Sequence, residues 1–395
     1  MHKRVWAGIF VGVCLLAACQ NQTSEITEAG TMRIATFNVS MDATNYLPRD
    51  TKPDSTSASV LQRELEQGDN RQIKAIAEIL QTVRPDIILL NEFDYSAEYK
   101  QAAALLQRHY FAQPQGAQRA IDYPYVYSAA VNTGVVFPYD LNGDGEISAP
   151  ADTYGFGYYP GQYGMLLLSR YPIDTDSVRT FQTFKWRDMP GALQPLQADG
   201  AAYYSSKAWN KLRLSSKSHW DVPVQINGKT VHVLASHPTP PVFDGPEDRN
   251  GKRNHDEVRL WVDYISNSAN YLYDDKGEYG GLSEQQSFVL VGDLNSSSVE
   301  GDGRREAITR LLQHPRVTDP KPASRGGAEA RESNPNSAYH TAQWGMRADY
   351  VLPSSDLTVT GAGVYWPAQS DPGAALVKSR AASSDHRLVW VDIEL

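Results

Sequence analysis

Cysteine is almost missing from this chain. The only two are Cys14 and Cys19, both close to the N-terminus. The rest of the sequence has no thiol, which excludes disulfide staples, cysteine metal sites and a cysteine nucleophile. A chain of 395 residues can do without staples, because it buries a sizeable core as one large or two medium domains. Positive charge is also scarce. Lys and Arg total 37 against 46 Asp and Glu, a formal net charge of -9. That balance argues against loose electrostatic binding of nucleic acid, which rests on cations neutralising phosphates. It leaves room for a local basic groove with a bridging metal. No polybasic membrane surface is suggested either. The apolar run from Val5 to Leu16 is too short to span a bilayer as a permanent helix. No internal repeat is visible.

The N-terminus instead has signal-peptide proportions. His2, Lys3 and Arg4 form a positive start, the apolar run follows, and Leu16-Ala17-Ala18-Cys19 closes it. This segment resembles the lipobox of bacterial lipoproteins, an ordinary signal peptide that happens to contain cysteine being the alternative. The resemblance makes residues 1–18 a cleaved signal, Cys19 the lipid carrier and residues 19–31 a flexible tether. Gln20, in place of Asp, implies sorting to the outer membrane of a Gram-negative cell. The expected location is the cell envelope, with the lipid as the sole membrane contact.

From residue 32 onward, buried strands and amphipathic helices alternate without a break in composition. Met32 to Asn38 alternates like a strand, and Ile73, Ile76, Ala77 and Leu80 share one helical face. Ile87 to Leu90 and Phe288 to Val291 are continuous apolar runs suited to buried strands. Met165 to Leu168, Val231 to Ala235, Tyr350 to Pro353 and the run from Leu388 read as further strands. Helical periods cover Glu98 to Tyr110 and the stretch around Val258, Trp261, Val262 and Ile265. The expectation is one α/β domain, residues 32–395, whose sheets pack between helices. Three stretches, near 111–163, 238–256 and 296–345, exceed normal loop lengths and read as functional insertions.

Polar residues mark the ends of these strands. Asn38 ends the first, Glu92 follows Leu90-Asn91, His237 follows Ala235-Ser236, and Asp293 and Asn295 follow Val291-Gly292. Ser384-Asp385-His386 opens the C-terminal run. Strand-end loops of α/β sheets converge on ligand sites, and this set fits phosphoester cleavage. Glu92 with Asn38 can hold a hard cation, Mg²⁺ or Mn²⁺, that polarises a phosphoryl oxygen. Asp293 can orient or deprotonate the attacking water, while Asn295 donates to the phosphate. His237 and His386 can contact phosphoryl oxygens or protonate the leaving group. Asp349 is suited to fix one imidazole's tautomer.

In this order, Asn38, Glu92, His237, Asp293-Leu294-Asn295, Asp349-Tyr350 and Ser384-Asp385-His386, the chain resembles the endonuclease/exonuclease/phosphatase superfamily. Deoxyribonuclease-I-like nucleases, exonuclease III, neutral sphingomyelinases and inositol polyphosphate 5-phosphatases are members. The resemblance implies a four-layer α/β sandwich with two mainly antiparallel central sheets flanked by helices. It also implies Mg²⁺-dependent in-line attack by water. Carried over residue by residue, Asn38 and Glu92 serve the metal, Asp385 is a second ligand, Asp293 positions the nucleophile, Asn295 contacts the phosphate and Asp349 orients His386. His237 matches the histidine of the deoxyribonuclease and sphingomyelinase branches. One departure stands out: apurinic-type members carry Asp two residues after the first Asn, and here that position is Ser40, with Asp42 further on. This weakens an abasic-site repair role.

Two further features belong to the expectations. Asp140, Asn142, Asp144 and Glu146 match the start of an EF-hand-type calcium loop, although its twelfth position is Ala151 with Asp152 next to it. A plain Asp-Gly turn is the alternative. Arg249 and Arg253, after four prolines that follow His237, are candidates to fork onto phosphate oxygens. They would otherwise pair with Glu247, Asp248 or Asp256. The expected protein is a monomeric, exported phosphoesterase acting on nucleic acid, a lipid headgroup or a small organic phosphate. A catalytically inactive binding or adhesion lipoprotein on the same fold is the competing reading. Lipid anchoring is directly testable. Cys19→Ala is expected to block lipidation and processing, read by mass spectrometry of the N-terminal peptide; a wild-type chain found soluble with an unmodified N-terminus removes the anchor.

Overall fold

The computed structural model describes residues 30–266 and 269–395. The signal segment 1–18, Cys19 and nearly all of the tether lie outside the described residues. Along the chain the strands are β1 (Thr31–Met41), β2 (Ile87–Phe93), β3 (Tyr125–Tyr127), β4 (Met165–Ser169), β5 (Arg179–Thr180) and β6 (His219–Ile226). They continue as β7 (Lys229–Ser236), β8 (Ser287–Asp293), β9 (Asp349–Pro353), β10 (Thr358–Val364) and β11 (Val389–Glu394). The α-helices are α1 (Val60–Gln67), α2 (Arg71–Val83), α3 (Tyr99–Leu106), α4 (Ser206–Trp209), α5 (Arg249–Ile265), α6 (Glu306–Leu312) and α7 (Arg325–Ala330).

The strands form two sheets, ordered β10-β11-β1-β2-β4-β3 and β5-β6-β7-β8-β9. Both are mixed and mainly antiparallel. Each has one parallel pair, β1 with β2 and β7 with β8. The continuous apolar runs are explained by burial on both faces. Ala35, Phe37, Ile88 and Leu90 point to the layer of α1, α2 and α3, where Ile73, Ile76 and Leu80 meet them. Their neighbours Ile34, Ile87 and Leu89 point the other way, into a core shared with Val222, Val233, Val289 and Val291 of the second sheet. Leu234, Phe288 and Leu290 then face the far side, against Val258 and Trp261 of α5 and Ile308 of α6. Period-two alternation inside each apolar run thus builds helix, sheet, sheet and helix layers. Each large side chain buried this way contributes about 1.5–3 kcal/mol.

Local signals set the borders. Asn70 caps α2 by accepting from the Gln72 and Ile73 amides, and Arg84 ends it in the left-handed region before Pro85. Two borders differ from the sequence pattern. Helix α5 begins at Arg249, so Arg249 and Arg253 stand on its first turns instead of in a loop reaching 256. The stretch 296–345 likewise holds α6 and α7. Strand β6 escapes the pattern because Pro223 interrupts it. Beyond the two-residue β5, which pairs with Trp220 and Asp221, residues 172–174 bridge the same flank, where Pro223 takes part through its carbonyl, accepting from the Asp174 amide.

Candidate active site

Parallel pairing does the first work. Because β1 runs beside β2, and β7 beside β8, the exits of all four strands open on one edge of the sandwich. Asn91 joins the two sheets there. Its side-chain oxygen accepts from the Asp293 amide at 3.2 Å, and its side-chain nitrogen donates to the Ser236 carbonyl at 3.4 Å. Gly292 allows that approach, since a Cβ there would lie 2.0 Å from the Ser236 oxygen. No side chain fits in that gap. From the outer layer, Trp261 donates its indole N–H to the Ser236 hydroxyl at 2.8 Å.

The Asp293 carboxylate is the point of convergence. Its Oδ2 accepts from Asn38 Nδ2 at 3.1 Å and faces His237 Nε2 at 3.4 Å and His386 Nε2 at 3.6 Å. The Asn295 amide donates to Oδ1 at 2.9 Å. His386 Nδ1 lies 2.9 Å from Asp349 Oδ2, which also accepts from the Thr341 hydroxyl at 2.7 Å. Ser384 shapes the turn that delivers His386. Its hydroxyl donates to the Asn38 carbonyl at 2.6 Å and accepts from the His386 amide at 3.0 Å. The buried Arg387 guanidinium holds the same turn through the Ser384 and His386 carbonyls.

Charge divides the two histidines. Burial alone would lower the basicity of His386, but the Asp349 and Asp293 carboxylates overcome it and lift the imidazole to about 10. Burial and then the nearby Lys217 charge lower that of His237. Asp293, despite its burial, is held well below the usual carboxylate range, chiefly by His386 and His237. At neutral pH the pair is therefore His386 charged and His237 neutral, a split of the kind that separates an acid from its partner.

Oxygen ligands gather a short way off. Glu92, in a left-handed backbone conformation at the end of β2, Asp385 and Asp42 all face one guanidinium, that of Arg380, at 3.4 Å each. Three carboxylates around a single cation form the donor set that a hard divalent ion uses. Ser40, which stands where the apurinic-type Asp would, donates instead to Asp385 at 3.3 Å. A second group, Asp293, Asp349 and His386, has ligand atoms within 4.8 Å of one another. There the His386 ring is already committed to Asp349, which suits proton transfer better than metal ligation.

The expected residues thus meet, with particular partners. Asn38 Nδ2 serves Asp293, and its Oδ1 accepts from the Ser40 amide at 3.2 Å. Asn295 donates its side-chain Nδ2 to the Pro238 carbonyl at 3.1 Å, next to His237. Arg253 is buried and donates to the Leu214, Tyr154, Arg213 and Ser215 carbonyls, leaving no fork for a phosphate. Arg249 pairs with Glu247 and with the Phe243 carbonyl. In the 140–152 loop Asp140 and Asp144 are joined by the buried Asp152, and Glu146 is not part of the group. Lys217, Arg380 and Asp42 complete the site without having been marked by motif. Lys217 arrives there because β6 runs antiparallel to β7, with His219 opposite Ser236, so the residues entering β6 lie beside His237.

The Endonuclease/Exonuclease/phosphatase family matches this chain over residues 35–386. The chain belongs to that family. Its members are hydrolases of phosphoester bonds. Among solved structures the chain is similar to the endonuclease/exonuclease/phosphatase from Beutenbergia cavernae, at 17% identity over 93% of this chain and 72% of that one, TM-score 0.51. It is also similar to the human Nocturnin catalytic domain with bound sulfate anion (12% identity, 92% and 94% covered, TM-score 0.45). A third is the beta toxin from Staphylococcus aureus with bound magnesium ions (16% identity, 91% and 98% covered, TM-score 0.41). At 17% identity the first likeness bears on the fold alone. No curated protein matches the chain.

The His386–Asp349 pair generates a pH prediction. An acid lifted to about 10 stays protonated through the neutral range, and activity falls as pH rises past that value. Asp349→Asn is expected to move the basic limb of kcat/KM to lower pH and to reduce kcat about 100-fold or more. Histidine ¹⁵N titration checks the assignment, and a wild-type His386 titrating near 6.5 refutes it.

Proposed function

We propose that this protein is an exported, lipid-anchored, monomeric phosphoesterase that requires Mg²⁺ or Mn²⁺ and cleaves its substrate by in-line attack of water. One observation carries the reading: a buried carboxylate, Asp293, flanked by one charged and one neutral imidazole, beside a three-carboxylate cation seat. An inactive binding protein has no need for two imidazoles driven to opposite protonation states around one carboxylate.

Glu92 and Asp385, with Asp42, would hold the cation, whose charge polarises a phosphoryl oxygen and offsets negative charge building on it. Asp293 presents Oδ2 to the site, where it orients the attacking water and accepts from it. Its depressed proton affinity makes orientation its larger share. His386, charged, carries a proton at Nε2, and Asp349 holds the ring by accepting from Nδ1. That proton serves an oxygen that gains charge as the ester breaks. His237, neutral, places Nε2 toward Asp293 and is held in position by Asn295 through Pro238. Calcium in the loop of Asp140, Asp144 and Asp152 is part of the proposal, as a structural ion. Leu141, Asn142, Pro150 and Ala151 of this loop line the cavity in front of the site, so ordering the loop would order that wall.

A panel of DNA, RNA, bis-p-nitrophenyl phosphate and p-nitrophenyl phosphate, assayed with purified protein and Mg²⁺, tests the activity. EDTA is expected to abolish turnover, and Glu92→Ala to lower kcat about 100-fold or more, since the cation supplies several kcal/mol of charge stabilisation. Turnover indifferent to both removes the metal mechanism. Calcium is read separately, by melting temperature. Saturation to about 100-fold over Kd is worth about 2.7 kcal/mol, a rise of several degrees. Asp144→Ala should remove it, and a wild type that does not shift leaves the loop a plain turn.

A further inference from the structure

A cavity of about 750 Å³ opens in front of the centre, with Glu92, His237 and Arg380 on its wall. That volume is in the range that encloses a single small organic molecule, roughly 300–1,000 Å³. Four cationic side chains line it: Lys217, Arg249, Arg253 and Arg380. Three are engaged, Arg253 by four carbonyls, Arg249 by Glu247 and Arg380 by its three carboxylates.

Lys217 is the exception. The residue is 5% exposed, its ammonium has no hydrogen-bond or ion-pair partner among the described residues, and its backbone is held by the Asn132 amide on its carbonyl. Burial lowers its basicity, and the charges of Glu257, Glu92 and Asp293 oppose that without an ion pair. The ammonium is not among the sealed-off, partnerless side-chain atoms, so it opens on the cavity that Lys217 lines, where an anion can reach it. The rest of the wall is of the opposite character. Tyr203 and Tyr204 pack edge to face at 5.0 Å, and Phe156 and Phe243 stand on the rim 58% and 87% exposed. Of the aromatics clustered between 154 and 163, only Phe156 and Tyr163 reach this cavity; Tyr154 packs on Phe137 and Tyr159 on Asp94.

We propose that this cavity is the substrate seat for a small, free phosphoester bearing a ring, its anionic oxygens held by Lys217 and its ring lodged against Tyr203, Tyr204 and the Phe156–Phe243 rim. The assignment rests on the phosphoesterase reading above and narrows its substrate class. A lysine ammonium is a compact point charge that pairs with phosphoryl oxygens from any direction, which suits an anchor that need not compete with the cation seat. Aromatic walls favour flat rings in offset or edge-on contact.

Non-hydrolysable phosphonates test the seat apart from turnover. Calorimetric titration of the purified protein with phenylphosphonate and methylphosphonate, in EDTA and again in Mg²⁺, should show the phenyl compound binding about tenfold tighter. Lys217→Met is expected to weaken both by about 10- to 100-fold, most clearly in EDTA, where no metal shares the anion. Tyr203→Leu should weaken the phenyl compound alone. Lys217→Gln repeats the test with a polar side chain should the methionine variant not fold. Equal binding of the two phosphonates overturns the ring seat, and unchanged affinity in either folded Lys217 variant overturns the anchor. A single-stranded oligonucleotide that displaces phenylphosphonate at far lower concentration overturns the small-molecule assignment. Ester hydrolysis without any ring preference defeats this proposal and leaves the phosphoesterase reading intact. Phosphonate binding as expected, with no ester cleaved, does the reverse.

Discussion

One buried negative charge organises this molecule's working edge. Asp293 is 1% exposed, and a carboxylate taken out of water must find compensation nearby or lose its charge. The compensation comes from both sheets: Asn38 from β1, His386 from the entry to β11, and His237 from the exit of β7. Removing any one leaves part of that charge unanswered, so geometry and electrostatics here are a single condition. The close approach at Gly292, the Asn91 bridge and the Trp261–Ser236 bond all serve to bring those groups within reach.

The four layers were legible because burial on both faces leaves unmistakable runs, Ile87 to Leu90 and Phe288 to Val291. The candidate set was legible for a related reason. Polar side chains placed directly after such runs have nowhere else to be explained, and Asn38, Glu92, His237 and Asp293 stand there, while Ser384-Asp385-His386 stands just before the C-terminal run. What stayed hidden was Lys217, and its concealment follows from Pro223. With β6 unread, no pattern marked Ser215 to Ser218 as the entrance of a strand beside His237. Strand exits announce themselves by a change from apolar to polar; an antiparallel neighbour's entrance contributes to the same edge without that signal. Arg380 and Asp42 lie in irregular segments whose course is set by tertiary contacts, and no local spacing encodes that.

Roles shift as well as positions. A guanidinium near a phosphate site reads from sequence as a ligand for phosphate, yet Arg253 is a clasp that ties α5 to the 213–215 segment and to Tyr154. The side-chain nitrogen of Asn295, similarly, holds Pro238. Hydrogen-bond demand in a buried loop competes for the same side chains that catalysis would recruit, and the tertiary fold decides which demand prevails.

The ordering of the first sheet has a temporal side. Strand β11 lies between β10 and β1, and Arg33 of β1 grips Asp392 of β11 across a separation of 359 residues. During synthesis from the N-terminus, β1 keeps that flank unpaired until almost all of the domain has emerged, a long exposure for an apolar strand. Contacts this remote in sequence also make assembly slow. The turn bearing His386 docks with the same strand, so the candidate site is assembled only when the sheet closes, and a partly folded chain lacks it.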